Sequence, residues 1–167
     1  MLTFDFETTN LRKGSALEPD NRIVMVAWQH DDGEGWCHSR VQTHVGDILD
    51  ARAFWRALEQ HDELCCYNVK FGQHWLKRLG FDIDSKTWHD PMLAEKVLLG
   101  NVKKPMDLGS VCARYGFDVK DPVIDGLMKG GVCPTEMPQR RLLARCVRDV
   151  RTTRSLHYAL RSKLFGL

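Results

Sequence analysis

The stretch that decides the fold is residues 1–9, MLTFDFETT, in which Asp5 and Glu7 interrupt an otherwise apolar run. Side chains along a β-strand alternate between its two faces, so residues i and i+2 share one. Asp5 and Glu7 therefore project together, about 7 Å apart at the rise of a strand. Burying two like charges on a half-covered strand is costly unless something pairs with them. A divalent cation is one such partner, and hard ions such as Mg²⁺ or Mn²⁺ want oxygen ligands. The pair also suits a solvent-facing acidic stripe, so two residues alone leave both readings open.

Outward from this strand, the sequence is polar and rich in turn formers as far as Asn21. A second strand is expected over Arg22–Gln29, and DDG within His30–Gly35 reads as a hairpin leading to a third strand over Trp36–Val41. Asp47 is placed to cap a helix running to Gln60, with Ile48, Phe54, Trp55 and Leu58 at helical spacing. Glu63–Tyr67 is a short fourth strand, Lys70–Leu79 a helix closed by Gly80, and Thr87–His89 a fifth strand. Helices follow at Met92–Leu99, Met106–Tyr115 and Pro122–Lys129, and a long last one runs from Pro138 to Lys163. Three hairpin-connected strands, then strand–helix–strand, then helices imply an α/β fold with a mixed five-stranded sheet flanked by helices. No repeat or linker divides residues 1–167, so a single domain is expected.

No apolar run reaches membrane-span length, and the early carboxylates do not suit a signal peptide. The six cysteines show no CxxC spacing, which points to reduced thiols in a cytoplasm, most of them small core residues. Net charge is only +2, yet Arg140–Lys163 carries eight basic residues and one acid, Asp149. Such asymmetry suits an anionic partner such as nucleic acid, and equally a solvated helix face. Asp149 borders the apolar stripe Leu142, Cys146, Val150, Thr153, Leu156, Leu160 and Leu164. With Arg145 at i−4 and Arg148 at i−1 it could form an intrahelical ion pair. It could also supply a third carboxylate to Asp5 and Glu7, which would turn a poor two-ligand site into a credible one.

Taken in order, FDFETT, YNVKFGQHWL and RCVRDVRTTRSL resemble the three motifs of the DnaQ-like (DEDD) 3′–5′ exonucleases. The nearest likeness is to the proofreading domains of family A DNA polymerases, phage versions included. Asn68, Lys70, Phe71 and Leu76 fall in register with the second motif, and HDPMLAEKVLLG looks like the family's following helix. The resemblance covers nearly the whole chain. It implies a ribonuclease-H-like fold and Mg²⁺- or Mn²⁺-dependent hydrolysis of the terminal phosphodiester of single-stranded or frayed DNA. Asp5, Glu7 and Asp149 would hold the metal. Thr8, Thr9, Asn68, Lys70, Phe71 and Arg148 would meet the nucleic acid. Each also has a plainer reading: Asn68 as a helix cap, Phe71 as core, Lys70 as a surface charge, the threonines as turn residues. A DNA polymerase partner, a phage origin and a host-cytoplasm location are expectations of the same kind. As no polymerase module follows Leu167, a stand-alone enzyme or an excised half is expected.

Two departures stand out. Gly72 occupies the place of the family's second aspartate, and Arg145 that of the motif-three tyrosine. Three carboxylates facing a guanidinium make a less negative site than four, one expected to hold a first ion firmly and a second weakly. Arg145 could fill space that Gly72 leaves and act as a catalytic fixed cation toward the scissile phosphate; it could equally face solvent or pair with Asp149. The rival reading is an exonuclease-fold module that lost catalysis and binds nucleic acid or a protein. His30, His38, His44, His61 and His157 lack ligand spacing and read as surface residues.

Overall fold

The computed structural model describes residues 1–31, 40–117 and 121–166. Strands β1 (Leu2–Thr8), β2 (Ile23–His30), β3 (Gln42–Val45), β4 (Glu63–Cys65) and β5 (Thr87–His89) form one sheet in the order β3-β2-β1-β4-β5. The β1–β2 and β2–β3 pairs are antiparallel, whereas β1–β4 and β4–β5 are parallel. Helices α1 (Arg52–Gln60), α2 (Val69–Arg78), α3 (Pro91–Leu99), α4 (Leu108–Arg114), α5 (Pro122–Lys129) and α6 (Gln139–Phe165) complete the chain. This is the α/β layering, a mixed five-stranded sheet flanked by helices, that the element order implies.

Strand alternation sorts the two faces. Leu2, Phe4 and Phe6 of β1 join Phe54 and Leu58 of α1 and Trp75 and Leu76 of α2 in one core. Asp5 and Glu7 therefore point the other way, toward α6, which packs against β1 and β2. Leu142, Cys146 and Val150 of α6 bury against Met25 and Ala27, and Leu156 and Leu160 against Val111 and Cys112 of α4. Removing each such aliphatic side chain from water is worth roughly 2 kcal/mol, so the stripe holds the helix firmly across the strand that carries the two acids.

Several expectations shift in detail. A strand lies at Gln42–Val45; residues 32–39, which hold Asp32 and Gly33 of the DDG signal and most of the strand expected over Trp36–Val41, lie outside the described residues. The helix expected from Asp47 is broken. Asp47 accepts a bond from the Leu49 amide and starts a short 3₁₀ turn, Ile48–Asp50, and α1 begins only after Ala51 leaves helical geometry. A second 3₁₀ turn, Leu11–Gly14, follows β1. Its Gly14 has a φ of +73°, and a Cβ there would come within 2.4 Å of Thr8 Oγ1. Only glycine lets this turn press against the end of β1. The Trp75 indole N–H donates to the Gly14 carbonyl at 3.1 Å and pins the turn to α2.

Candidate active site

Glu7 and Asp149 are both nearly inaccessible, at 4% and 5% exposure, while Asp5 keeps a partly exposed edge. Two buried acids from opposite ends of the chain need a cation, and Arg145 supplies one. Its Nη1 donates to both Glu7 oxygens at 2.9 Å, and its Nε lies 3.5 Å from Asp149 Oδ2. Arg145 thus pairs with Glu7 as well as Asp149 and does not face solvent. Arg148 Nε approaches Asp149 Oδ1 at 3.8 Å. Nevertheless, Arg145 Nε and Arg148 Nη2 are buried without a hydrogen-bond acceptor among the described residues.

One guanidinium does not offset the crowding. Burial, then the neighbouring Asp149 and Glu7 carboxylates, push the Asp5 carboxyl well above its ordinary value. Burial raises Glu7 to about 7 against the opposing pull of Arg145. Carboxyls held this way are starved of positive charge. The donor atoms of Asp5, Glu7 and Cys146 all lie within 4.8 Å of one another. That convergence, and a donor set dominated by carboxylates, fits a divalent cation.

Cys146 was not anticipated at the site. It lies three residues before Asp149 on the helix, a spacing that puts both on one face. Its thiol sits 3.6 Å from the Asp5 carbonyl oxygen and 4.0 Å from Asp5 Oδ2.

Gly72 is not an open vacancy. A Cβ at this position would meet Cys66 Sγ at 2.8 Å and the Phe4 ring at 3.5 Å. Cys66 and Phe4, not Arg145, supply the three atoms nearest this Cβ.

The remaining candidates divide. A groove of about 460 Å³ runs beside Glu7 and Arg145, with Thr8, Phe71, Met128 and Val132 on its walls. Thr8 and Phe71 are thereby brought to the site. Thr9 is committed elsewhere: its hydroxyl donates to Asn21 Oδ1 and accepts from the Arg22 amide, both at 2.9 Å. Asn68 starts α2 in a left-handed conformation, with φ 60° and no side-chain capping bond. The cap comes instead from Asp90, whose carboxylate accepts from the amides of Asn68, Val69 and Met92 at 3.1, 3.0 and 2.9 Å. One side chain therefore caps both α2 and α3.

Lys70 is exposed and faces a different, larger cavity of about 740 Å³ beside His89, His157 and Arg161. His157 is not on the surface; it is 8% exposed, with its ring 4.8 Å from that of His89. Burial, then His89 and Arg161, lower it to about 4. The basic character of α6 is likewise partly internal, since Arg154 turns inward to Asp31 at 3.2 Å.

No protein-family model matches the chain, and no curated protein matches it. Solved structures that share its fold include two polymerases and an exonuclease. A family B DNA polymerase from the hyperthermophilic archaeon Pyrobaculum calidifontis matches 98% of this chain at 20% identity, with a TM-score of 0.60. The POL domain of Pol1 from M. smegmatis, in complex with DNA primer-template and dNTP, matches 98% at 13% identity, TM-score 0.59. The chain spans 24% and 23% of those two proteins. Exonuclease X in complex with 5′ overhanging duplex DNA matches 99% of this chain and 93% of its own length, at 13% identity and TM-score 0.59. Identities this low establish a shared fold. Among the described residues, no helix is long and apolar enough to cross a membrane.

Proposed function

We propose that this domain is a metal-dependent 3′–5′ exonuclease of the DnaQ-like kind, acting on single-stranded or frayed DNA ends with Mg²⁺ or Mn²⁺. The observation that carries this reading is the meeting of Glu7 and Asp149, from opposite ends of the chain, on one guanidinium, with Asp5 beside Glu7 and a groove of nucleotide size alongside. The fold shared with Exonuclease X supports it, and the polymerase neighbours support a polymerase as partner.

A bound divalent cation would supply water activation and neutralise charge on the leaving oxygen. The protein's own groups divide the remaining work. Asp5 and Glu7 would hold the cation from β1, with Asp149 beside them on α6. The unfilled donors Arg145 Nε and Arg148 Nη2 suit phosphate oxygens, which guanidinium groups bind in charge-assisted pairs. Phe71 on the groove wall offers a face to an unstacked terminal base. Lys70, on the neighbouring cavity, is left for the backbone further from the end.

Two observations favour the second reading, a binding module without catalysis: Arg145 already sits on Glu7, and a side chain at Gly72 would crowd Cys66. A labelled oligonucleotide separates the two. The enzyme shortens it nucleotide by nucleotide from the 3′ end in Mg²⁺ or Mn²⁺, and the Asp5→Ala variant does not. Binding with no shortening in either metal supports the module and refutes the enzyme.

A further inference from the structure

Asp149 is engaged by two guanidinium groups, Arg145 at 3.5 Å and Arg148 at 3.8 Å. The ligand atoms that converge within 4.8 Å belong instead to Asp5, Glu7 and Cys146. We propose that Cys146 is the third ligand of the ion held by Asp5 and Glu7, which makes this a mixed oxygen–sulfur centre selective for thiophilic divalent ions such as Zn²⁺ and Co²⁺ over Mg²⁺. This rests on the cation-binding reading of the same carboxylates.

The geometry carries it. Around one tetrahedral ion with metal–sulfur and metal–oxygen bonds of about 2.3 and 2.1 Å, the two donor atoms lie about 3.6 Å apart. Cys146 Sγ and Asp5 Oδ2 stand at 4.0 Å, a few tenths of an ångström from that separation. The partly exposed edge of Asp5 gives an ion an approach to a thiol that is otherwise sealed in the core. Ligation replaces the S–H bond with a sulfur–metal bond and releases the proton to solvent, so charge and atoms balance with no redox partner. A thiolate also shifts selectivity by softness, since Mg²⁺ is satisfied by oxygen alone while Zn²⁺ and Co²⁺ accept sulfur.

Titration of the whole protein with Co²⁺, followed by near-ultraviolet absorption and calorimetry, tests this. Sulfur-to-cobalt charge transfer is expected to saturate at one ion per chain. It is expected to vanish in Cys146→Ser, which still binds Mn²⁺ through the carboxylates. Zn²⁺ is expected to displace Co²⁺ at concentrations at least about a hundredfold lower than Mg²⁺. Calorimetric Co²⁺ binding without the band, or a band that survives in Cys146→Ser, overturns the proposal while leaving the carboxylate site standing. No binding of Co²⁺ or Mn²⁺ at all overturns both. Should Cys146→Ser fail to fold, cadmium-113 resonance of the wild type decides: a signal in the sulfur-ligated range supports Cys146, and one in the all-oxygen range refutes it.

Discussion

Replacing Arg145 by Gln removes the cation that holds two buried acids, and its consequences depend on whether a metal is present. The guanidinium touches both Glu7 oxygens at 2.9 Å and stands 3.5 Å from Asp149. At about 4 Å between charge centres and an effective dielectric of about 20, each such attraction is worth about 4 kcal/mol before desolvation is counted. Removing one partner of a buried pair typically costs about 3–5 kcal/mol. Arg145→Gln is therefore expected to lose about 3 kcal/mol or more in EDTA at pH 8, or roughly 6 °C or more of Tm for a domain of this size. Saturating Mn²⁺ should return most of it, because the ion now provides the charge that the guanidinium gave. The same competition predicts Mn²⁺ binding on the order of tenfold to a hundredfold tighter in the variant, since Glu7 no longer has to be released by Arg145. Urea unfolding in EDTA and in Mn²⁺, with calorimetric titration, reads both effects. A variant as stable as wild type in EDTA, with an unchanged Mn²⁺ affinity, would refute the reasoning.

Gly72→Asp alone is not expected to restore a fourth ligand or raise turnover. The new Cβ meets Cys66 Sγ at 2.8 Å, an overpacking that costs about 1–3 kcal/mol. The double variant with Cys66→Ala should recover stability in an unfolding titration, and equal stability of both single and double variants would count against this packing. Burial holds Glu7 at about 7, above its ordinary 4.5, so the folded protein keeps a proton that the unfolded chain has released between those values. The stability this carboxyl contributes is present below about pH 4.5 and lost as pH rises through about 7. In EDTA, the wild type minus Glu7→Gln difference should fall by on the order of 3 kcal/mol between those limits; His157 acts in the opposite direction but cancels in the difference. A flat or rising difference would contradict it. Asp90→Ala strips three amides of their acceptor and uncaps α2 and α3, so a loss of about 2–4 kcal/mol is expected with Mn²⁺ affinity unchanged. Full stability would exclude that capping role.

What was legible in the sequence was what local periodicity dictates. The alternation in residues 1–9 put Asp5 and Glu7 on one face, and the stripe from Leu142 to Leu160 correctly bordered Asp149 on the buried side of α6. The chain order of strands and helices sufficed for a five-stranded mixed sheet. What escaped depends on contacts between distant residues. Asp90 caps a helix that begins more than twenty positions earlier, and no spacing rule announces such a bond. Cys146 reads as one more small residue on an apolar stripe until β1 is laid against it. Gly72 looks like an absence in the sequence, whereas Cys66 and Phe4 stand close against it in the fold. His157 carries no local sign of burial, because its ring packs against His89, a residue far away in the sequence. The strand at Gln42–Val45 escaped notice because short exposed edge strands carry little hydrophobic patterning; β3 is largely exposed along its length.

The most direct test is anomalous diffraction from a crystal soaked in Mn²⁺. A manganese peak within coordination distance of both Asp5 and Glu7 is expected, with the Arg145 guanidinium drawn off at least one Glu7 oxygen. A saturated crystal with no peak between these carboxylates, and Arg145 still seated on Glu7, would contradict the account.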